Sequence, residues 1–351
     1  MAGKWTRRLL KAAGYGLAVL SVLFVVGVSV TVGWRPFVGP KARPLSDRRF
    51  EATPQRLARG QYLTENVMGC FACHTKLDRN DLPGSYASAL KRGGGNTLKG
   101  GGNTMEADGT PWLVAPNITP DGETGAGAWT DDQLARAIRE GVGHDGRALF
   151  PLMPYQSFRN LSDEDLASVV AYLRSIEPVR NRLPQTKVPF PLSRLINSAP
   201  QPVEAPVPEP DRTNQVEYGE YLVRVSDCAG CHTPRDERGQ PIRGLDYGGG
   251  NVFDDGQGQT VATANITPDQ TGIPYYDETL FLEAMRGGHV KARALSPAMP
   301  WWAFRNMTDE DLKAMFAYLR TLKPARHLVD NTEPPTFCKI CKQKHGLGEK
   351  N

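Results

Sequence analysis

The stretch Cys70-Phe71-Ala72-Cys73-His74 is written a second time in the chain as Cys228-Ala229-Gly230-Cys231-His232. The spacing C-x-x-C-H is typical of covalent c-type haem attachment. In such a site each thiol binds one vinyl group of the haem, and the adjacent histidine becomes the proximal iron ligand. One isolated copy could be a surface cysteine pair with a chance histidine. Two copies predict two covalently bound haem c groups, held by Cys70, Cys73 and His74 and by Cys228, Cys231 and His232.

The sequence around the two motifs is also duplicated. Asn117-Ile118-Thr119-Pro120 matches Asn265-Ile266-Thr267-Pro268, and Phe158-Arg159-Asn160-Leu161 matches Phe304-Arg305-Asn306-Met307. A repeat of this length is a whole domain rather than a short solenoid unit. The 351 residues are enough for about two domains at roughly 100–200 residues each. We therefore predict haem domains over residues 52–180 and 214–326.

Each domain is predicted to be built from helices. A short helix leads into the haem motif. A middle helix is predicted to start at Asp131 in the first copy, capped by Thr130 and Gln133, and Asp277 is the candidate cap of its counterpart in the second copy. A last helix follows Ser162 or Thr308, each of which resembles the N-cap of a capping box. Behind Ser162, apolar side chains recur at helical spacing. The fold class predicted is all-α, with long loops around the haems.

A methionine next to proline occurs at the same place in both copies. The segments are Pro151-Leu152-Met153-Pro154 and Pro297-Ala298-Met299-Pro300, each just ahead of the last helix. A thioether is a neutral, soft ligand, and Met/His ligation raises the reduction potential of haem iron. A methionine in an apolar loop could also simply fill a gap. The paired placement predicts that Met153 and Met299 are iron ligands opposite His74 and His232.

Two other histidines lie shortly before these methionines. His144 and His289 are rival candidates for the iron, but polar loop positions favour exposed residues without a ligand role.

Near the N-terminus, residues 12–34 contain no charged side chain. The run is long enough for a helix that crosses a hydrocarbon core of ~30 Å. Lys4, Arg7, Arg8 and Lys11 lie in residues 1–11, which favours a cytoplasmic N-terminus. A cleaved signal peptide would have a shorter apolar core of ~7–15 residues and a small-residue cleavage site. We predict an uncleaved single-pass anchor, with the rest of the chain on the far side of the membrane.

Composition gives expectations for the remaining segments. Residues 181–213 contain many prolines, which predicts an extended, semi-rigid linker. Residues 327–351 are polar and rich in lysine, so we expect a loosely ordered tail. The net charge of +4 is too small to indicate nucleic-acid binding.

The tail contains a third Cys pair, Cys338-Lys339-Ile340-Cys341, without an adjacent histidine. In an oxidising compartment a disulfide is the simplest prediction. Alternatives are a zinc site that also uses His327, and a third haem with Lys342 or His345 as a ligand.

Residues 52–325 resemble class I cytochromes c, in which a haem motif follows a first helix and a Met-Pro loop precedes the last. The tandem arrangement, with its Asn-Ile-Thr-Pro and Met-Pro-x-x-x-Phe-Arg segments, is similar to cytochrome c subunits of bacterial periplasmic dehydrogenases. The resemblance implies single-electron transfer at the inner membrane, with the haem domains facing the periplasm. It implies partners that are redox proteins, namely a dehydrogenase or respiratory complex and an electron acceptor. It also implies that first and last helices cross near a glycine and aromatic residues: Gly60, Tyr62 and Tyr172, and Gly219, Tyr221 and Tyr318.

Two other functions compete with a simple electron carrier. A dihaem peroxidase would be an enzyme, and it needs an iron with an open or exchangeable site, against which two methionine ligands argue. A permanent electron-wiring subunit of a respiratory complex would differ only in how firmly its partner is held.

Overall fold

The computed structural model describes residues 2–75, 84, 86, 103–107, 110–236, 239–254 and 260–351. Helix α1, Ala2–Thr31, is followed by the short helix α2, Arg35–Val38. Its part Trp5–Thr31 is long and apolar enough to cross a membrane, and its side chains are almost all exposed. The helix begins before the predicted span and ends short of Trp34, because Gly33 adopts a left-handed conformation with φ +70° and its N–H bonds to Val28 O.

The two copies of the repeat fold in the same order. The first contains α3 (Pro54–Tyr62, extended by a π-helical turn Leu63–Val67), α4 (Cys70–His74), β1 (Asn103–Ala107), β2 (Thr110–Ala115), α5 (Asp131–Glu140), α6 (Tyr155–Phe158) and α7 (Asp163–Ser175). A linker helix α8 (Leu192–Leu195) follows. The second contains α9 (Gln215–Val225), α10 (Cys228–His232), β3 (Val252–Asp254), β4 (Thr260–Ala262), α11 (Glu278–Gly287), β5 (His289–Val290), β6 (Arg293–Ala294), α12 (Trp301–Phe304) and α13 (Asp309–Thr321). The tail forms the hairpin β7 (Pro335–Phe337) and β8 (Lys344–Gly346), followed by the 3₁₀ turn Gly348–Lys350.

The predicted caps fix where the main helices begin. Thr130 and Gln133 exchange hydrogen bonds in a complete capping box at α5. Ser162 caps α7, Asp277 caps α11 and Thr308 caps α13, each by accepting a backbone N–H through its side chain. The predominance of helix agrees with the all-α prediction, although four two-stranded hairpins accompany the helices in the part of the chain described.

The first and last helices of each domain cross at a glycine. A Cβ built on Gly60 of α3 would fall on the backbone carbonyl of Ser168 in α7. In the second domain, a Cβ on Gly219 of α9 would fall on the carbonyl of Ala314 in α13. Tyr172 and Tyr318 lie beside these glycines, as the resemblance implied. The helices can therefore cross this closely only because glycine has no Cβ.

Tyr62 and Tyr221 differ from that expectation, because they bind the opposite domain. The Tyr62 hydroxyl donates to Asp311 at 2.6 Å and accepts the Thr308 N–H at 3.1 Å. In return, the Tyr221 hydroxyl donates to Asp165 at 2.5 Å and accepts the N–H of Ser162, the cap of α7, at 3.4 Å. The first helix of each domain thus provides a hydroxyl that accepts a backbone N–H at the start of the last helix in the other domain. The buried apolar side chains of the two domains form one continuous core.

Tyr221→Phe is expected to destabilise the protein by about 1.5–3 kcal/mol, because it leaves the buried Asp165 carboxylate without one of its donors. Burial and the Asp165 carboxylate also raise the pKa of Tyr221, so the hydroxyl stays protonated as a donor at neutral pH. Urea denaturation followed by circular dichroism measures the change. Tyr275→Phe is the matched control, since Tyr275 is largely exposed. Equal stability of the two variants would contradict an energetic role for the exchanged contacts.

The segment between α2 and α3 is fastened to the first domain. Arg43 makes a bidentate ion pair with the fully buried carboxylate of Asp132, at 2.6 and 2.8 Å, and a further bond to Glu140 at 2.7 Å. Burial alone would raise the pKa of Asp132, but the hydrogen bonds from Arg43 and Ser46 outweigh it and hold that pKa well below its usual range. The chain that leaves α1 is therefore held at a fixed point on α5.

The linker and the tail are more structured than predicted. Residues 181–213 are mostly extended, but they include α8 and the 3₁₀ turn Ile196–Ser198, with Ile196 buried. The prediction of a loose tail is wrong. Cys338, Cys341 and His345 lie in the β7–β8 hairpin and its turn, and their side chains are buried. The lysine-rich composition of the tail did not indicate that these side chains would be buried.

Candidate haem-binding sites

The two Cys-His motifs lie on short helices that place their three functional side chains together. Cys70, Cys73 and His74 occupy positions i, i+3 and i+4 of α4, which face the same side of a helix. The equivalent helix α10 presents Cys228, Cys231 and His232 in the same way. A residue with left-handed backbone precedes each helix, Gly69 with φ +57° and Asp227 with φ +56°. This left-handed residue separates the motif helix from the helix before it.

Both motif histidines are held in one tautomer by a backbone carbonyl. His74 Nδ1–H donates to Pro116 O at 2.7 Å, and His232 Nδ1–H donates to Ala264 O at 2.7 Å. Nε2 then bears the lone pair that an iron ligand needs. Burial lowers the pKa of both imidazoles, which keeps them neutral at neutral pH. The same arrangement in both domains fits a proximal haem ligand.

The accepting carbonyls stand immediately before the two Asn-Ile-Thr-Pro segments. Asn117 Oδ1 accepts the N–H and the hydroxyl of Thr119, while its amide donates to Val179 O at 2.6 Å. Asn265 makes the same bonds to Thr267 and donates to Ala325 O at 2.7 Å. These buried bonds lock the loop to the chain behind the last helix and so position the carbonyl under each histidine. The sequence shows that the segments are duplicated, but it does not show that they position the carbonyl under each histidine.

Asn117→Ala and Asn265→Ala are expected to destabilise the protein by about 1–3 kcal/mol each, since buried partners lose their hydrogen bonds. We also expect each substitution to shift the reduction potential only of the haem in the altered domain, because only that histidine loses its fixed carbonyl. Urea denaturation and spectroelectrochemical titration measure the two effects. Asn306→Ala, at an exposed position, is the control and should change neither. If neither the reduction potential of the haem in the altered domain nor the stability of the protein changes, the segment is a plain turn.

The two methionine loops have the same conformation. Tyr155 N–H donates to Met153 O and Trp301 N–H donates to Met299 O, both at 2.8 Å. The prolines that follow match as well, with φ and ψ of −80° and 45° at Pro154 and −78° and 43° at Pro300. Both methionines are half-buried and pack against the apolar core.

In the first domain the predicted ligands surround one cavity. It has a volume of about 1000 Å³, and its walls include Cys70, Cys73, His74 and Met153. The linker closes another part of it through residues 183–188 and Ile196. A mostly apolar cavity with two thiols, one imidazole and one thioether has the donor set and the size for haem c. The residues present therefore fit the group.

The rival histidines have the exposure predicted for them. His144 and His289 are both exposed. The His144 ring stacks on Trp129 with the ring centres 4.2 Å apart, although it also borders the cavity of the first domain.

Comparison with known families identifies the fold. The cytochrome c family profile matches residues 57–177 and 216–323. The chain belongs to the cytochrome c family. The two matched ranges lie inside the two copies of the repeat, so the protein is a tandem cytochrome c. Membership supports haem c as the cofactor of this cytochrome.

Several curated relatives are cytochrome subunits of dehydrogenases. The cytochrome is 29% identical over 321 residues to the fructose dehydrogenase cytochrome subunit of Gluconobacter japonicus, covering 88% of this chain and 59% of that one. It is 30% identical over 290 residues to the cytochrome c subunit of the quinone alcohol dehydrogenase of Gluconacetobacter polyoxogenes, covering 78% of this chain and 57% of that one. A protein named diheme cytochrome c-type from Cereibacter sphaeroides is 28% identical over 260 residues, with coverage of 72% and 81%. The chain thus spans less than two thirds of the two dehydrogenase subunits.

Proposed function

We propose that the protein is a membrane-anchored dihaem cytochrome c that relays single electrons on the periplasmic side. Its donor is a dehydrogenase or respiratory complex, and it passes the electrons to a downstream acceptor. The observation that supports this best is the duplicated site. Each domain has two thiols and a histidine on one helical face, a carbonyl that fixes the histidine tautomer, and the same methionine loop.

Under this proposal, His74 and Met153 would hold the haem iron in the first domain, and His232 and Met299 would hold it in the second. Bound haem iron supplies a one-electron couple, and His/Met ligation raises its potential. The protein's part is to keep both ligands in place in either oxidation state. The carbonyls of Pro116 and Ala264 hold the imidazoles, and prolines restrict the methionine loops.

The interface between the domains suits transfer from one site to the other. Ser157 of α6, which begins just after Met153 and Pro154, donates its hydroxyl to Asp227 at 2.6 Å. Asp227 directly precedes Cys228 of the second motif. Because this bond joins the methionine side of one site to the cysteine side of the other, relative motion of the two domains is restrained.

The N-terminal helix and the relatives support the location and the partner. Helix α1 is apolar and exposed over Trp5–Thr31, and basic residues precede its most apolar part. Arg43 fixes the following segment to α5, so the anchor would hold the first domain close to the membrane. The names of the relatives include fructose dehydrogenase and alcohol dehydrogenase, which favours a dehydrogenase as the donor.

The full-length protein, purified from membranes in detergent, tests this function. We expect the intact mass to show two covalent haems, and the oxidised spectrum to show low-spin iron with a weak far-red band from sulfur ligation. A dehydrogenase should copurify or reduce the protein rapidly. A five-coordinate iron with rapid peroxide turnover would instead support the dihaem peroxidase. A mature N-terminus beyond Trp34 in a soluble protein would contradict the anchor.

A further inference from the structure

Four potential metal ligands meet in the C-terminal part of the chain. They are His327, Cys338, Cys341 and His345, and their nearest ligand atoms all lie within 4.8 Å of one another. All four residues are at most 2% exposed. His327 follows the last helix, while the other three belong to the β7–β8 hairpin and its turn. The cluster therefore joins two separate segments.

The turn of the hairpin directs both thiols to the same side. Cys338 N–H donates to Gln343 O at 2.9 Å, and Lys342 N–H donates to Cys338 O at 3.0 Å. Lys342 takes a left-handed conformation with φ +59°, which lets the chain turn tightly after the second cysteine. The backbone of this turn thus brings the two thiols together.

Equivalent hydrogen bonds orient the two histidines as metal ligands. His327 Nδ1–H donates to Gly248 O, and His345 Nδ1–H donates to Gly346 O, both at 3.0 Å. Each Nε2 is then left with a lone pair. His327 Nε2 lies 3.4 Å from Cys338 Sγ, and His345 Nε2 is buried without a hydrogen-bond partner among the described residues. A buried polar atom without a partner is costly unless something binds it. Metal-bound histidines usually donate their second N–H to a carbonyl in this manner.

The two other assignments for the cysteine pair explain less. Both thiols are free in the structure, and a disulfide would leave the orphaned Nε2 of His345 unexplained. A third haem would need space beside the pair, but Cys338 and Cys341 are at most 1% exposed.

We propose that His327, Cys338, Cys341 and His345 bind one structural Zn²⁺ ion in a tetrahedral Cys₂His₂ site. Zinc–sulfur and zinc–nitrogen distances of about 2.3 and 2.0–2.1 Å would place neighbouring ligand atoms roughly 3.3–3.8 Å apart. The observed cluster needs only a small contraction to reach that geometry. Zinc has no redox chemistry, so the ion takes no part in electron transfer.

The zinc site would hold the tail against the loops that contact the haem-motif histidine of the second domain. The loop that binds His327 at Gly248 also donates from Gly249 N–H to His232 O, at 2.7 Å. Asn265, whose segment supplies the carbonyl under His232, donates to His327 O at 3.3 Å. The metal site does not depend on the haem assignment, but its effect on the second haem rests on the proposed function.

Metal analysis of the full-length wild-type protein tests the proposal first. Elemental mass spectrometry should give one zinc ion per chain after dialysis against a weak chelator. X-ray absorption at the zinc edge should show two sulfur and two nitrogen neighbours. A zinc-free protein with Cys338 and Cys341 joined by a disulfide, or with a haem attached to them, would overturn it. So would zinc with only oxygen and nitrogen neighbours, which indicates an adventitious ion.

Variants separate loss of the ion from loss of the fold. Cys341→Ser is expected to weaken zinc affinity at least tenfold and to make Cys338 reactive towards thiol reagents. His345→Cys should keep the zinc, since Cys₃His is also a structural zinc set. His289→Ala, which changes an exposed histidine, is the control and should keep it too. Under the proposed function, zinc loss should shift the potential of the second haem more than that of the first. Unchanged zinc affinity in Cys341→Ser, measured by competition with a chelator, would overturn the site whatever the haem potentials do.

Discussion

Replacing Met153 or Met299 by alanine is expected to lower the reduction potential of the haem in that domain by roughly 0.1–0.2 V. Axial ligands set haem potentials over a range of about 0.8 V, and a thioether favours the reduced iron. The two loops have matching backbone conformations, so the effect should be similar in both domains. Each substitution should also remove that haem's share of the far-red band. Potentiometric titration with optical detection measures both quantities.

Met315→Leu is the matched control for the two methionine variants. Met315 is buried in α13, and exchanging it for leucine conserves volume at a cost below about 1.5 kcal/mol. It should leave both potentials and the band unchanged. If Met153→Ala and Met299→Ala also leave them unchanged, another residue binds the iron, with His144 and His289 as the first candidates.

Gly219→Ala is expected to prevent the second domain from folding normally and to lower the free energy of unfolding by about 3 kcal/mol or more. The added Cβ would fall on the carbonyl of Ala314, and backbone inside a helix cannot move aside as a flexible side chain can. Overpacking usually costs about 1–3 kcal/mol and occasionally more. Because the two domains share one core, the first domain should be affected as well. Urea denaturation and the haem content of the purified protein measure the result.

Gly14→Ala is the control, because it makes the same change within helix α1, where no atom of the described residues lies within 4 Å of the added Cβ. Gly60→Ala in the first domain should behave like Gly219→Ala. Normal haem content and stability in both of the crossing variants would show that the helices can separate to admit a methyl group.

Features that are repeated and local could be predicted from the sequence. The Cys-His motifs and the capping residues Thr130 and Ser162 each depend on a few neighbouring residues or on the comparison of the two copies. The two crossing glycines were implied by the resemblance to class I cytochromes c. The family profile matches both copies, which confirms the tandem cytochrome c prediction. The identity of the iron ligands and the number of haems stay predictions.

Features that depend on distant pairing could not be predicted. Tyr62 and Asp311 are far apart in the chain, and nothing local shows that a tyrosine of one domain bonds to the other. The tail has the composition of a loose segment, yet His327 meets the cysteine pair only when the hairpin packs against the loop at Gly248. Such contacts come from tertiary structure and leave no periodic pattern.

The exchanged tyrosines limit how the two halves of this protein can be used as modules. A simple gene duplication gives two copies that can fold and evolve separately. Here one tyrosine hydroxyl of each half accepts a backbone N–H at the start of a helix in the other half. Tyr62 accepts from Thr308, and Tyr221 accepts from Ser162. A chimaera that replaces one half with an unrelated cytochrome c must therefore supply both the borrowed hydroxyl and the carboxylate that receives it.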